Sequence, residues 1–577
     1  MYFIEELLSQ QLSQSASKKG IENVKFNIQP CSLPIADYQC NDCMSLAKIY
    51  HKSPIDIAKT IIQDFSSEIV DKVEVCSPGY INFTISQKFL SNYLVDFMIN
   101  YEKEIVSRTK KQKIIVDYGG ANVAKPLHVG HLRSANIGES IKRICQYVGC
   151  DTLGDVHLGD WGLQMGMVIA EIESRQPDLV YFDSNYKGSY PTEPPITIKD
   201  LETLYPQANA KAKQNEEFMQ KAKKTTVALQ NGNRGYLALW KHIVYISVQD
   251  LKKNYDALNV HFDLWLGESD TQKDYDYVID YFVKNNLAKQ SEGALVVDIS
   301  SQDDKKEMPP FMLKKSDGGV LYSTTDLATL YDRVKNMKAD KVIYVADNRQ
   351  ELHFTQLFRV ANKFDLLPNK VELHFAGFGT MNGVDGKPYK TRDGGVMKLQ
   401  ELIKEVKNSA SKMSDNTTIS DTVAISALKF ADLSIMRTKD YIFDPDKFCA
   451  FDGKTGPYLL YSLTRAKSII RKFNQENQSN DYSSSNFDAK YCDKDLIFCI
   501  INFAKNVLDA YSQLSPNILC DYAYKLASTF SASYSKINIL KQSDNVIKNS
   551  LIYQTQCYAT ILEKALNLLA INTLEKM

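Results

Sequence analysis

The chain has no excess of charge of either sign. Its 577 residues carry 69 Lys plus Arg against 69 Asp plus Glu, a formal net charge of zero. Any surface that binds a polyanion must therefore be local. It lacks a run of about 18 uninterrupted apolar residues, so no segment reads as a membrane-spanning helix. The opening residues MYFIEE bring acidic groups and no apolar core, so the N-terminus does not read as a signal peptide. Among 11 cysteines, Cys40 and Cys43 make one C-x-x-C, with no second pair or His pair near it in sequence. A structural zinc site needs four ligands, so the expectation is reduced cytosolic thiols, with neither metal nor disulfide. Histidine is scarce, at 8 residues, which makes any close pair informative. What is present, 44% apolar and 24% charged residues, fits a globular protein long enough for several domains of about 100–200 residues each.

Two of the eight histidines fall in His128-Val129-Gly130-His131. The preceding segment, residues 113–118, is apolar and β-branched and predicts a buried strand. Gly119-Gly120-Ala121-Asn122 follows as a turn, and residues 132–141 continue with helical spacing. The histidines therefore stand at a helix N-terminus, where free N–H groups and the helix dipole favour a phosphate. Gly130 lets a ligand approach the backbone. Imidazoles donate to phosphate oxygens without permanent charge at pH 7. Two histidines three apart are equally what ordinary helix capping would use.

The hydrophobic pattern predicts three regions. Residues 1–108 read as a small α+β domain, with helical patterns over 1–14, 44–50 and 56–65 and strand-like runs at 24–28 and 73–85. Residues 109–400 alternate strands and helices, with strand candidates at 114–118, 295–299, 341–345 and 371–375. That alternation predicts an α/β doubly wound sheet whose ligand lies at the carboxyl ends of the strands. An insertion around 186–260 opens with a Pro-, Ser- and Tyr-rich stretch and continues as a polar helical region near 209–230. Residues 401–577 read as an all-α bundle, with helices expected at 425–436, 457–473, 497–513, 518–534 and 546–569 and a polar loop over 473–488.

The spelling His-hydrophobe-Gly-His after a strand resembles the signature of class I aminoacyl-tRNA synthetases and related nucleotidyltransferases. The longer run Asn122-Val123-Ala124-Lys125-Pro126-Leu127-His128-Val129-Gly130-His131-Leu132-Arg133-Ser134 resembles the arginyl-tRNA synthetases. So do residues 37–48, Ser77-Pro78-Gly79-Tyr80-Ile81-Asn82-Phe83, and Thr455-Gly456-Pro457-Tyr458-Leu459-Leu460-Tyr461-Ser462. The resemblance implies a Rossmann-like class I catalytic domain and an N-terminal domain that contacts the tRNA D-loop. There Tyr80 and Asn82 would meet an unpaired base by stacking and hydrogen bonding. It further implies an anticodon-binding bundle, whose basic stripe includes Arg465. The C-terminal residues Leu568 to Met577 depart from the family's ending. The implied substrates are L-arginine, tRNA(Arg) and ATP with its Mg2+, without a tightly bound metal or organic cofactor. A cytoplasmic monomer without membrane or DNA partners is the family expectation.

Joining an amino acid carboxylate to the α-phosphate of ATP requires positioning and donors to developing phosphate charge. By resemblance, His128 and His131 are catalytic donors, and a mobile lysine loop completes the site. Ser411-Lys412-Met413-Ser414-Asp415 has the look of such a loop but lacks a second lysine and a glycine. Gly386-Lys387-Pro388-Tyr389-Lys390-Thr391-Arg392-Asp393-Gly394-Gly395 fits better, with two lysines three apart and a flexible exit. Lys390 takes the catalytic place. Lys125, Gly130, Met381 and Lys387 join the histidines and Lys390 in the ATP site. A guanidinium never deprotonates and presents a rigid fork of donors, so its pocket needs carboxylates and planar acceptors. Tyr322 and Asp326 stand four apart, on one face if helical, and by resemblance serve the guanidinium. Asp117, where the family often has Glu, would face the α-amino group. Asn122 and Gln356 would fix the carboxylate and amino group. His157-Leu158-Gly159-Asp160-Trp161-Gly162 also resembles the family and reads mainly as a structural turn. Another class I synthetase, a small nucleotidyltransferase and a catalytically silent tRNA-binding paralogue remain the competing readings. An early test concerns Lys390→Ala. Turnover should fall strongly with thermal unfolding unchanged, because the lysine acts in the transition state; equal losses of activity and stability would make it structural.

Overall fold

The computed structural model describes residues 3–316, 319–383, 385–387, 397–411, 416–477, 484 and 487–577. Near the N-terminus, helix Ile4–Lys18 packs beside a four-stranded antiparallel sheet. Its strands run in the order Ile28–Pro30, Tyr38–Cys40, Tyr80–Ile85, Val70–Cys76. The strand-like run at 73–85 is thus two strands of a hairpin. Gly79, in the turn between them, has φ +146°, and a Cβ there would lie 2.5 Å from Pro54 Cβ, so no larger residue fits. Helix Gln87–Ser107 then leads to the central sheet.

That sheet has four parallel strands in the order Glu372–Phe375, Lys341–Tyr344, Lys113–Asp117, Asp151–Asp155. Chain order runs outward from Lys113–Asp117 in both directions, so the topological switch lies between that strand and Lys341–Tyr344. Ligands bind outside the carboxyl ends of the strands at such a point. The sequence expectation of a doubly wound α/β sheet holds, with two corrections. The run at 295–299 does not join it: Ala294–Val297 pairs antiparallel with Ala288–Ser291 and Phe311–Lys314 in a separate three-stranded sheet. The strand Asp151–Asp155 is not evident from the sequence, because an acidic residue at each end and a glycine in its fourth position hide its apolar character.

Four helices, Leu163–Arg175, Ile198–Gln214, Glu216–Gln230 and Arg234–Ala257, make the insertion. The polar helical region expected near 209–230 breaks at Asn215, whose side chain caps the following helix by accepting from Phe218 N. A small core of Met167, Ala170, Ala208, Ala212, Phe218 and Ala222 holds it together. Beyond residue 398 the chain is mainly helical. The expected helix at 497–513 is two, Lys494–Ile501 and Phe503–Gln513. All eleven cysteines carry free thiols. Among the described residues no helix is long and apolar enough to cross a membrane.

A buried polar network fastens the helix that starts at the histidines, Val129–Tyr147, to the helical region. Arg133 donates from Nε to Asp432 Oδ1 at 2.8 Å, and from Nη1 to the carbonyls of Gly379 at 2.7 Å and Lys439 at 2.9 Å. Asn136 donates to Asp432 Oδ2 at 3.1 Å and accepts from Lys429 Nζ at 3.1 Å. All four side chains are buried. Asp432→Ala leaves the guanidinium buried without its counter-charge and should cost about 3–5 kcal/mol of unfolding free energy. Denaturant unfolding measures it; a loss below about 1 kcal/mol would show that the network does not hold these parts together.

Candidate active site

His128 is the N-cap of helix Val129–Tyr147, and the two histidines cap it reciprocally. The Gly130 N–H donates to His128 Nδ1 at 3.1 Å, and the His128 N–H donates to His131 Nδ1 at 3.0 Å. An Nδ1 that accepts cannot carry the proton, so the neutral His128 ring is the Nε2–H tautomer; His131 Nδ1 also lies 3.2 Å from the His128 carbonyl. Capping thus uses Nδ1 of both rings. Burial first, then Lys125 and Arg349, lowers the pKa of His128. Burial and then His128 hold His131 down to about 3. Both rings are thus neutral donors at pH 7. The rings lie 3.9 Å apart between centroids. A Cβ on Gly130 would sit 2.8 Å from His128 Cε1, so glycine here permits the ring's position.

The histidine segment is stitched to the chain leaving the lysine loop. His128 bridges Lys398 antiparallel. The Val129 N–H donates to the Met397 carbonyl at 3.1 Å, and the Leu399 N–H donates to the Leu127 carbonyl at 2.9 Å. Lys387 is exposed at the loop's entry, where its carbonyl accepts from Gly383 N at 2.8 Å. Lys390 and the rejected tract from Lys412 to Asp415 lie outside the described residues. Met381 is buried and pairs with Tyr441 in a short parallel bridge between Met381–Asn382 and Tyr441–Ile442. Lys125 follows Ala124, which has φ +62°, and places its Nζ 4.7 Å from the Tyr205 ring centroid. Arg349, which the sequence reading passed over, is exposed and bound through two contacts of 2.8 Å to Asp347.

On the other side of strand Lys113–Asp117 the charge reverses. Helix Tyr322–Lys335 turns a stripe at 322, 326, 329 and 333 toward the site. Tyr322 and Asp326 share that face, as their spacing predicts. Asp326 Oδ2 lies 2.7 Å from His353 Nε2, and the Tyr322 and His353 rings are 4.5 Å apart. Thr329 Oγ1 lies 3.5 Å from His157 Nε2. Arg333, fully buried, binds Asp117 at 2.7 Å and Asp155 at 2.6 Å. In-register pairing sets those two carboxylates side by side at the strand ends, and the guanidinium offsets their repulsion. Asp117 therefore has one oxygen committed to Arg333. Asn122 bridges Gly159 beside it.

Glu268 completes the acidic side. Burial raises its carboxyl to about 7, opposed by His157 and supported by Asp326 and Asp160. It lies at the start of the short helix Glu268–Thr271, more than 100 residues from either partner strand, and nothing in its local spelling marks it. His157, in the turn read as structural, carries φ +38°, and its Nδ1 is buried without a partner among the described residues. Two further expected residues have partners within the fold. Gln356 Nε2 donates to the Pro309 carbonyl at 2.9 Å, since its helix packs against the three-stranded sheet. Asn82 is buried in the N-terminal sheet, accepting from Gln39 at 2.8 Å and donating to Cys76 Sγ at 3.2 Å. Tyr80 is half-buried at the start of that strand. Arg465 is exposed, with its guanidinium 4.4 Å from the Tyr534 ring.

A parallel sheet that presents neutral histidine donors on a helix start at its switch point, joined to a lysine loop, defines a class I aminoacyl-tRNA synthetase. Family models match "tRNA synthetases class I (R), catalytic domain" over residues 57–445, "DALR anticodon binding domain" over 459–577 and "Arginyl tRNA synthetase N terminal domain" over 3–85. The chain belongs to the arginyl-tRNA synthetase family. It is 45% identical to an arginine–tRNA ligase of Alkaliphilus oremlandii, covering 99% of this chain and 100% of that one. It is 43% identical to the Agathobacter rectalis enzyme, covering 99% of each. Arginyl-tRNA synthetase from Plasmodium falciparum superposes with a TM-score of 0.80 at 25% identity, covering 100% of both chains. The Thermus thermophilus structure matches in fold, with a TM-score of 0.73 at 21% identity over the whole of both chains. Membership makes the chain an aminoacyl-tRNA ligase with ATP as its nucleotide substrate.

The raised Glu268 carboxyl gives a pH test. A carboxyl titrating near 7 is mostly protonated at pH 6 and mostly ionised at pH 8, while guanidinium keeps its charge throughout. The KM for arginine should fall roughly tenfold from about pH 6 to pH 8, and Glu268→Gln should raise it and flatten the profile. A wild-type KM that is level across this range would remove Glu268 from the pocket.

Proposed function

We propose that the cleft at the switch point of the sheet performs the two steps of the arginine–tRNA ligase reaction with the residues named above. Arginine's carboxylate attacks the α-phosphate of ATP, forming arginyl-adenylate and releasing pyrophosphate. The 3'-terminal hydroxyl of tRNA(Arg) then attacks the arginyl carbonyl, and AMP leaves. His128 and His131 donate from Nε2–H to phosphate oxygens, aided by the N-terminus of helix Val129–Tyr147. Lys125, Lys387 and Lys390 meet the charge that gathers on the leaving pyrophosphate, and Gly130 leaves room for the nucleotide. ATP brings its own Mg2+. Tyr322, Asp326 and Glu268 take the guanidinium, while the free edge of Asp117 and Asn122 take the α-amino and carboxylate ends. The observation that carries this reading is the His128–Lys398 bridge with its flanking hydrogen bonds. It fixes the exit of the Lys390 loop against the histidines, so loop and helix start act on one triphosphate.

The rest of the chain presents the tRNA. Residues 1–108 would contact the D-loop, with Tyr80 as the base-stacking side chain. Residues 401–577 would take the anticodon, with Arg465 on the RNA-facing surface. We place the enzyme in the cytoplasm as a monomer.

ATP–pyrophosphate exchange with each amino acid, with and without tRNA, is the direct measurement. Exchange is expected with arginine alone among the amino acids, and only when tRNA is present. Exchange with a different amino acid would overturn the substrate; absence of both exchange and tRNA charging would leave a binding protein.

A further inference from the structure

The insertion touches the nucleotide side of the site through one helical turn. Glu202 and Tyr205 lie three apart on helix Ile198–Gln214 and so share a face. Tyr205 receives Lys125 over its ring at 4.7 Å. Glu202 Oε2 binds Lys398 Nζ at 3.0 Å. Lys125 stands three residues before His128, and Lys398 is the residue bridged to His128. The same helix turn therefore holds the cations on both sides of the histidine pair.

Both ends of this arrangement are anchored. Leu201 and Leu204, on either side of Glu202 in sequence, are buried in the main core. Pro206 follows Tyr205 inside the helix and, lacking an N–H, cannot bond the Glu202 carbonyl, which distinguishes this turn from its neighbours. The backbone presenting Lys125 is fixed at Ala124, which is buried, has a left-handed φ and donates its N–H to Ser247 Oγ at 3.1 Å. The Glu202–Lys398 pair is 34% and 40% exposed. Such a pair contributes little to stability, so its consequence lies in where it holds the ammonium group.

The two holders differ in a way that suits the two lysines. An aromatic face binds an ammonium more weakly than a carboxylate does. Lys125 can leave the Tyr205 ring for a triphosphate, whereas Lys398 stays fixed by Glu202 at the root of the lysine loop.

We propose that Glu202 and Tyr205 are positioning residues of the nucleotide site: Tyr205 keeps Lys125 beside the triphosphate site until ATP draws it in, and Glu202 holds Lys398, the residue bridged to His128, beside the histidine segment. This rests on the assignment of Lys125 and the histidines to ATP. The test is tRNA-supplemented ATP–pyrophosphate exchange with arginine, comparing Tyr205→Ala, Tyr205→Phe and Glu202→Gln in the full-length protein and again in Lys125→Gln and Lys398→Gln backgrounds. Tyr205→Ala should raise the KM for ATP about two- to fivefold with the KM for arginine unchanged, and Tyr205→Phe should restore it. That effect should vanish when Lys125 is already Gln. Glu202→Gln should lower kcat about two- to fivefold, and this effect should vanish when Lys398 is already Gln. Thermal unfolding should stay level in all of them. Effects that persist undiminished without the lysines, or no effects at all, overturn the proposal. If Lys125→Gln leaves the KM for ATP unchanged, the clamp assignment falls and this proposal with it. If Lys125→Gln raises that KM while Tyr205→Ala does not, this proposal alone falls.

Discussion

The buried contact between Arg133 and Asp432 is the constraint on which the rest of the site depends. Arg133 lies less than one turn after His131, on the helix whose start meets the nucleotide. Its guanidinium holds the Gly379 carbonyl at the base of the segment leading into the lysine loop, and the Lys439 carbonyl beyond the loop. Its counter-charge, Asp432, belongs to helix Thr417–Leu433. One buried cation thus sets the helix start, the segment at Gly379 and the first layer of the helical region in one geometry. Burying an ion pair is favourable only when its hydrogen bonds are nearly all met, and such a pair tolerates little displacement. Nearby, burial brings the Lys429 ammonium down to about 7, with Asn136 as its hydrogen-bond partner. The junction between the sheet and the helices is polar and geometrically strict, where an apolar junction would permit sliding.

The same economy governs the histidines. A lysine pair in their place would bring more charge, but each ammonium would repel the other at a ring separation of 3.9 Å. Neutral imidazoles can sit together and cap the helix start through Nδ1. Their lowered pKa values keep them in that state across the physiological range, so the donor count of the clamp does not vary with pH. The pH dependence is displaced to the acidic side of the site, where Glu268 titrates.

The parts of this design that local spacing encodes were legible in the sequence: the strand–turn–helix around His128, the i,i+4 relation of Tyr322 and Asp326, and the helical character of the C-terminal region. Extending the same stripe by seven residues beyond Asp326 would have found Arg333. What stayed hidden is set by tertiary contact. Glu268, Arg349 and His353 gain meaning only when distant segments converge at the strand ends. Asn82 and Gln356 have amides that fit a substrate on paper, yet neighbours within the fold claim them first. The strand Asp151–Asp155 was missed because its aspartates serve the site and the turn, and so depart from the apolar pattern of a buried parallel strand.

A chain with zero net charge can still handle two polyanions and a cationic amino acid because its charges are sorted around a single strand. On one side of Lys113–Asp117 stand neutral imidazoles, Lys125, Lys387 and Arg349; on the other, Asp326, Glu268 and the Asp117–Asp155 pair. Arg333 sits between the two acidic strand ends and keeps them from repelling apart. A guanidinium of the protein's own is thus already bound by the strand-end carboxylates. Its presence fixes how much negative charge is left for the ligand. Burial already raises the Asp117 carboxyl, and Arg333 opposes that rise, so without the guanidinium Asp117 would shift further toward protonation. Asp326 meets the His353 imidazole at 2.7 Å instead, and burial keeps the Glu268 carboxyl raised, so the strand-end pair is the one that the buried arginine neutralises.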